Sequence, residues 1–144
     1  MSEIAGGLLV MCSTVFLCSK KIFENYFTYK FIYEILDIII KIQYENGSNL
    51  PYSKLYEKIG FDYTAFFDKT KTNGYVKYNE IEQAQKFFKN LGKRDKNSEK
   101  EYIEYNRLII ERKCKSYYSK YSEIKKSHFI CGIAAGLLII IFFI

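Results

Sequence analysis

Few residues of this 144-residue sequence have the types and spacing that catalysis or metal binding requires. The single histidine, His128, excludes a metal site built from several histidines, and it has no obvious carboxylate partner. The four cysteines form no C-x-x-C pair, so we predict neither a structural zinc site nor a disulfide framework. The eight glycines form no phosphate-binding loop.

Two carboxylates, Glu34 and Asp37, lie three residues apart and are the candidates for general acid–base chemistry in a small membrane enzyme. Both fall on a mostly polar strip of an otherwise apolar helix, where solvated charges are expected. We therefore predict that the protein is not an enzyme and that it needs no cofactor.

Basic charge is a prominent feature of the composition, with 22 Lys and Arg against 16 Asp and Glu. Together with fourteen Tyr and twelve Phe, this charge could indicate a nucleic-acid-binding protein. However, only three basic residues are arginines, the type suited to bidentate phosphate and base contacts, and the aromatic residues form no platform motif. A lysine-rich body beside anionic headgroups explains the same charge, so we predict membrane lipid as a partner and no nucleic acid.

The charge is distributed unevenly along the chain. Residues 4–18 and 129–144 carry none, whereas the 110 residues between them carry all 22 basic and 15 of the acidic residues, a net charge of +7. Each apolar run would span about 22–24 Å as a helix, somewhat less than the hydrocarbon core of about 30 Å. We predict transmembrane helices at 4–18 and 129–144, joined by a helical domain at 19–128.

The alternatives for the first apolar run are a secretory signal peptide and a buried helix. A signal peptide has positive charge before its apolar core, but here Glu3 precedes the run and Lys20 and Lys21 follow it. Lys125 and Lys126 flank the second run on the same inner side of the sequence. Because positive flanks stay in the cytoplasm, we predict a cytoplasmic body in a cell membrane, with both termini on the far side.

Small residues in both runs predict helix packing inside the membrane. Gly132 and Gly136 form a G-x-x-x-G pattern that lets a second helix approach closely, and Gly6 and Gly7 could be the small face opposite them. The plainer interpretation is that glycine is common in transmembrane helices. The sequence is also compatible with an oligomer.

The body is predicted to be all-helical and to begin with a long helix at 20–44 that continues the first apolar run. Its apolar stripe has three- and four-residue spacing and consists of Ile32, Ile35, Ile39 and Ile42, widened by Phe23, Phe27 and Phe31. A break at 44–49 ends this helix. Pro51 then begins a short helix that Gly60 terminates. One face of that helix carries Tyr52, Leu55, Tyr56 and Ile59.

The middle of the body contains one segment with two interpretations. Residues 61–70 favour another short helix around Phe66 and Phe67, followed by a turn at 72–74. The alternative is a β-hairpin whose arms lie on either side of that turn.

Two capping-box patterns predict the last two helices of the body. Asn79 and Glu82 would open a helix that Gly92 ends, and Ser98 and Glu101 would open the longest helix. An apolar seam along this longest helix leads into the second apolar run through Ile103, Ile110, Cys114, Tyr117, Tyr121 and Ile124.

Taken in order, these features resemble the stage III sporulation protein AB family of endospore-forming bacteria over nearly the whole chain. The most recognisable motif of that family is matched here by Phe87, Leu91, Gly92 and Asp95, with Glu99 at the position of a family glutamine. The last anchor of the family is matched by Gly132, Gly136, Leu137 and Leu138. The chain departs from the family at Cys18 and Lys41, and it lacks a Pro-Arg element after the first anchor.

The resemblance implies a non-enzymatic platform or adaptor of the channel complex between mother cell and forespore, located in the mother-cell membrane. Its partners would be a secretion-type ATPase and other membrane subunits, and its body would be similar to the cytoplasmic domain of the type II secretion platform protein. The motif loop would bind a partner, or it would be a structural corner with Gly92 left-handed and Asp95 capping. The other class of function is a membrane-anchored regulator that sequesters a soluble partner in a helical groove.

Overall fold

The computed structural model describes residues 2–45 and 50–143. These residues form five α-helices and contain no β-strand: α1 (Ser2–Glu45), α2 (Tyr52–Ile59), α3 (Tyr63–Asn73), α4 (Tyr78–Lys89) and α5 (Lys96–Phe143). The all-helical prediction is therefore confirmed for the described part of the chain. The predicted break after α1 falls mostly on residues 46–49, which lie outside the described residues.

The β-hairpin alternative in the middle of the body is wrong. Residues of its first arm belong to α3, which continues through Asn73 and ends at Gly74, whose φ of 70° is left-handed. A carboxylate stabilises the other end of α3, because Asp62 accepts a 3.0 Å hydrogen bond from the backbone N–H of Ala65. A capped helix of three turns satisfies the backbone N–H and C=O groups of this segment within the helix. In a hairpin, the same groups would have needed a partner strand.

α1 and α5 pack side by side as a long antiparallel pair. We call this pair the α1–α5 hairpin, although three short helices separate its two members in the chain. Three contacts give its register: ring centroids 5.4 Å apart for Tyr26 with Tyr121 and for Tyr29 with Tyr118, and a 2.6 Å hydrogen bond from Gln43 Nε2 to Glu104 Oε2. In each pair the two residue numbers add up to 147. A residue of α1 therefore lies level with the α5 residue that completes this sum, and both apolar ends lie at the same end of the hairpin.

The hydrophobic core lies between this hairpin and the three short helices. The predicted isoleucine stripe of α1 is 0–3% exposed, as helical periodicity predicts. The core residues contributed by the other helices are Leu55, Phe67, Ile81, Ala84, Phe87, Phe88, Ile103, Cys114 and Tyr117. Of the phenylalanines expected to widen the stripe, Phe31 is buried but Phe23 is 48% exposed, since it lies near the apolar end of α1 where Tyr75 covers it only in part.

The ends of α2 agree with the predicted signals. Pro51 is the residue before the helix, and its carbonyl accepts a 3.0 Å hydrogen bond from the N–H of Leu55. Gly60 ends the helix with a left-handed φ of 71°, and the N–H of Phe61 donates back to the Tyr56 carbonyl at 2.8 Å.

Both predicted capping boxes are wrong. α4 begins one residue before Asn79, at Tyr78, and the residue before it, Lys77, donates its backbone N–H to the Thr28 hydroxyl of α1, 3.2 Å away. α5 begins at Lys96, before Ser98, because the Asp95 carboxylate lies closer to the free N–H groups of the first turn. α4 also ends at Lys89, earlier than the predicted stop at Gly92.

Candidate functional site

The residues of the predicted motif loop lie together in the turn between α4 and α5. Glu99, in the first turns of α5, is only 6% exposed. Its Oε1 accepts a 2.7 Å hydrogen bond from the backbone N–H of Gly92 and a 2.9 Å hydrogen bond from the Tyr52 hydroxyl. Leu91 beside it is buried. One carboxylate oxygen therefore joins α2, the α4–α5 turn and α5.

Two independent constraints require glycine at position 92. Its φ of 77° is left-handed, and a Cβ placed on it would lie 3.1 Å from the ring of Tyr52. The left-handed conformation turns the chain so that the Gly92 N–H points at Glu99. The glycine of the motif is thus needed for the geometry of the corner.

A cation balances the buried carboxylate of this corner. Arg94 Nη1 lies 3.7 Å from Glu99 Oε2 and donates a 2.9 Å hydrogen bond to the Asn90 carbonyl, while the guanidinium lies 3.7 Å from the ring centre of Tyr102. Burial, followed by the hydrogen bond to Glu99, raises the pKa of Tyr52, so its hydroxyl remains a donor. Glu99 Oε1 has two hydrogen-bond donors and Oε2 only the ion pair with Arg94; these contacts within the protein favour the structural interpretation of the loop.

Asp95 has a separate role as the N-terminal cap of α5. Its Oδ2 accepts hydrogen bonds of 3.2 Å from the backbone N–H groups of Asn97 and Ser98. These bonds, with the Ser98 side chain contributing most, hold the pKa of Asp95 below its usual range. The predicted capping by Asp95 is confirmed.

We expect Asp95→Ala to melt at a lower temperature than the wild-type chain at neutral pH, because two N–H groups lose their acceptor. A lowered carboxyl pKa stabilises the folded state above the usual pKa, and this contribution is lost as the pH falls through the lowered value. Thermal melts followed by circular dichroism from about pH 7 to about pH 3 measure this effect. The difference in melting temperature between the wild type and Asp95→Ala should become smaller as the pH falls. Asp95→Asn keeps an acceptor oxygen and should melt closer to wild type; a difference that does not depend on pH would contradict the capping role.

A second, partly buried polar cluster joins α4 to α5 and was not predicted. Glu80 accepts from the Tyr117 hydroxyl at 3.0 Å and from Lys113 Nζ at 2.7 Å, and Lys113 also contacts Gln83. Burial and Glu80 raise the pKa of Tyr117 to about 12. The cluster closes a mainly apolar cavity of about 50 Å³ beside Phe31, a volume suited to a few water molecules and too small for an organic substrate. The only signal for this cluster in the sequence was Glu80, a charged residue next to the core residue Ile81.

The candidate acid–base residues lie on the surface of α1, where both line an open groove of about 260 Å³. Glu34 and Asp37 are both exposed, and Asp37 Oδ2 lies 2.7 Å from Lys41 Nζ one turn along the same helix. Such exposed ion pairs one turn apart are ordinary surface features of helices. The structure thus places these carboxylates where the sequence analysis expected solvated charges.

The four flanking lysines lie at one level of the hairpin. By its register Lys21 lies level with Lys126, and Lys20 and Lys125 each lie within one residue of that level. The apolar ends of α1 and α5 begin just beyond them, and both helices are long and apolar enough to cross a membrane, with their most apolar windows wholly unburied. His128 is half-buried beside these lysines, in a shallow groove with Phe129.

The four glycines of the apolar ends do not bring α1 and α5 into close contact. A Cβ added at Gly6, Gly7, Gly132 or Gly136 would meet no atom within 4 Å outside the local backbone. The register also places Gly132 level with position 15 and Gly136 with position 11, away from the other glycine pair. The predicted packing of these four glycines in the membrane stays a prediction.

No protein-family model, curated protein or solved structure matches the chain.

The α1–α5 hairpin has one face that the short helices leave uncovered. On α1 this open face carries large exposed side chains at a spacing of seven, seven and four residues: Tyr26, Tyr33, Ile40 and Tyr44, which are 38%, 57%, 47% and 87% exposed. On α5 it carries Leu108 and Tyr118, 41% and 55% exposed. Between the helices runs a groove of about 280 Å³ lined by Tyr29, Tyr33, Leu36, Glu111, Cys114, Lys115 and Tyr118.

This open face was not predicted, because the only stripe recognised on α1 was that of the isoleucines and phenylalanines. The available signal was a second stripe on α1, offset from the isoleucine stripe and repeating every seven residues. Charged residues border the face. Hydrogen bonds from Arg107 and Gln43 lower the pKa of Glu104 to about 2. A stripe of exposed aromatic and aliphatic side chains with a charged border is typical of a protein-binding site.

Proposed function

We propose that this chain is a non-enzymatic membrane adaptor whose helical body binds a protein partner through the open face of the α1–α5 hairpin. The observation that carries the proposal is the exposure of Tyr33 and Ile40 beside a groove that α5 completes with Tyr118. Tyrosine is enriched in the centres of protein interfaces, because it offers a large rigid ring and a hydroxyl. Three tyrosines and an isoleucine exposed in one stripe form the kind of partly apolar surface that marks an interaction site.

The anchoring part of the proposal rests on the apolar ends of α1 and α5. Both would cross a cell membrane, with the body on the cytoplasmic side. The level ring formed by Lys20, Lys21, Lys125 and Lys126 supports this orientation, because lysines at membrane ends are retained in the cytoplasm. The net charge of +7 between the two ends would attract the body to anionic lipid.

A finer proposal names the assembly. On the resemblance to the stage III sporulation protein AB family, the chain would belong to the mother cell–forespore channel complex and lie in the mother-cell membrane. It would couple a secretion-type ATPase to other membrane subunits. The support is the motif of Leu91, Gly92, Asp95 and Glu99, whose residues have interlocking geometric roles in one corner.

The test is a pull-down of the tagged full-length chain from its native cells during sporulation, solubilised in mild detergent, with partners identified by mass spectrometry. We expect a secretion-type ATPase and polytopic membrane subunits. The double variant Tyr33→Lys, Ile40→Lys should recover at least about tenfold less partner, because two charges in the centre of an interface cost more than the roughly 1.4 kcal/mol that tenfold represents.

Tyr78→Lys is the matched control, since Tyr78 is 71% exposed on α4, away from the open face. It should recover as much partner as the wild type. Partner recovery that both variants leave unchanged would contradict binding through the open face. Recovery of partners other than channel components would contradict the finer proposal. The effect of the Tyr33→Lys, Ile40→Lys variant on that recovery would still test the adaptor role.

The second candidate function is a membrane-anchored regulator that sequesters a soluble protein. The groove of about 280 Å³ between α1 and α5 favours it, because a groove between two helices can receive a third helix. Recovery of only soluble regulatory proteins, abolished by the Tyr33→Lys, Ile40→Lys variant, would select this function over the channel platform.

A further inference from the structure

The turn between α3 and α4, residues 74–77, lies against α1 at the level of the flanking lysines. The ring centre of Tyr75 is 5.8 Å from that of Phe23 and 5.6 Å from that of Phe27. At a rise of about 1.5 Å per residue, these two phenylalanines follow Lys21 by about 3 Å and about 9 Å along the helix. Tyr75 thus lies in a layer that begins where the apolar end of α1 stops.

The turn is held in this position by a buried contact. The Thr28 hydroxyl, in a side chain that is fully buried, accepts a 3.2 Å hydrogen bond from the backbone N–H of Lys77. Both the ring stacking and this hydrogen bond attach the turn to α1, so the turn keeps its level relative to the lysines. The adjoining rings remain open to the surroundings, with Phe23 48% and Tyr75 42% exposed.

Lysines lie in the turn and on α5 at the levels of this aromatic patch. Lys77 and Lys120 lie 5.0 Å and 5.3 Å from the ring centre of Tyr117, and Lys125 lies 5.7 Å from that of Tyr121. The acids at this level are Glu24, which is 4.0 Å from Lys20, Glu123, which accepts a hydrogen bond from Ser119, and Glu80, which accepts one from the Tyr117 hydroxyl. With Lys21 and Lys126, the lysines outnumber the acids at this end of the body.

We propose that the α3–α4 turn is a membrane-surface contact, in which Tyr75 lies in the headgroup layer and the lysines at its level bind acidic phospholipid. This inference rests on the proposed crossing of the membrane by α1 and α5. Headgroup layers are about 5–7 Å thick on each side of the hydrocarbon core, which matches the level of Tyr75. Tyrosines concentrate in that layer because the ring is apolar and the hydroxyl polar. The contact would fix the tilt of the body at the membrane through a third point besides the two helices.

The chain contains no tryptophan, so each single substitution provides one fluorescent reporter. We would reconstitute the full-length Tyr75→Trp variant in vesicles of phosphatidylcholine and phosphatidylglycerol and compare lipids with and without brominated acyl chains near the headgroups. The emission should fall about twofold with brominated lipid, because the side chain lies at the interface. Circular dichroism equal to that of the wild type would check that this aromatic-for-aromatic change keeps the fold.

Two further tryptophan variants are the positive and negative controls for quenching. Phe16→Trp lies inside the proposed span, at a position 71% exposed, and should be quenched strongly. Tyr105→Trp, at a position 65% exposed and about 30 Å along α5 from Lys126, should not be quenched. Quenching of Phe16→Trp without quenching of Tyr75→Trp would overturn the turn contact and leave the membrane crossing intact. Absence of quenching in both would overturn the crossing, and the turn contact with it.

The Tyr75→Trp variant also tests which class of lipid the turn binds. The blue shift of Tyr75→Trp emission should be larger in vesicles with phosphatidylglycerol than in pure phosphatidylcholine, and adding Lys77→Gln should reduce this difference. Equal shifts in both kinds of vesicle would overturn the assignment of acidic phospholipid as the ligand.

Discussion

Glu99→Ala is expected to lower the free energy of unfolding of the body by about 2–4 kcal/mol, because it leaves the Gly92 N–H and the Tyr52 hydroxyl without their acceptor and Arg94 without its counter-charge. The lost partners belong to two different elements, α2 and the α4–α5 turn, so no single local adjustment restores them. Urea unfolding in detergent, followed by circular dichroism, measures the loss from the midpoint and the slope.

Glu99→Gln is the matched control for this variant. An amide oxygen can still accept from both Gly92 and Tyr52, so we expect a loss below about 1 kcal/mol, mainly from the weaker attraction to Arg94 at 3.7 Å. Glutamine is also the residue that the resembling family has at this position. Equal losses for the alanine and glutamine variants would contradict the role of these two hydrogen bonds and leave charge as the stabilising feature of the corner.

Phe67→Ala is expected to have the largest effect on stability, about 3–5 kcal/mol. Phe67 is 2% exposed. Its ring centre is surrounded by the ring centres of four other aromatic residues: Tyr63 at 4.7 Å, Phe66 at 5.3 Å, Phe88 at 6.0 Å and Phe31 at 6.3 Å. Removing the ring would open a cavity between α1, α3 and α4, and the remaining rings belong to separate helices that cannot all move into it. The same urea titration gives the measurement.

Tyr78→Ala is the control for Phe67→Ala, because it removes an aromatic ring that is 71% exposed on α4. Its expected effect is within about 0.5 kcal/mol. A small effect of Phe67→Ala would contradict the central position of α3 in the core, whereas a large effect of Tyr78→Ala would show that its ring is covered in the folded protein.

Short-range signals in the sequence predicted the helical stripes well. The isoleucine stripe of α1, the stop at Gly60 and the face of α2 depend on residues a few positions apart, so the pattern of residue types was sufficient. The capping boxes at Asn79 and Ser98 failed for the opposite reason. Lys77, the residue before α4, donates to a hydroxyl on α1, 49 residues away, and a neighbouring carboxylate caps α5; the local pattern indicated neither partner.

The candidate sites show the same division. The motif loop, the flanking lysines and the solvated carboxylates at 34 and 37 were each visible as residue types in the sequence. The open hairpin face and the Glu80 cluster were not, because tyrosine stripes and single charges look alike whether they are buried or exposed. The sporulation channel, its ATPase and the absence of enzymatic activity stay predictions.

The sequence by itself determined the helical class of the body and the apolar character of its two ends, because both depend on the local repetition of residue types. Only the tertiary structure decided the register of α1 against α5, the burial of Glu99 and the position of Tyr75 beside Phe23. These features join residues 47 to 95 positions apart, and their geometry depends on which faces pack once the whole core forms.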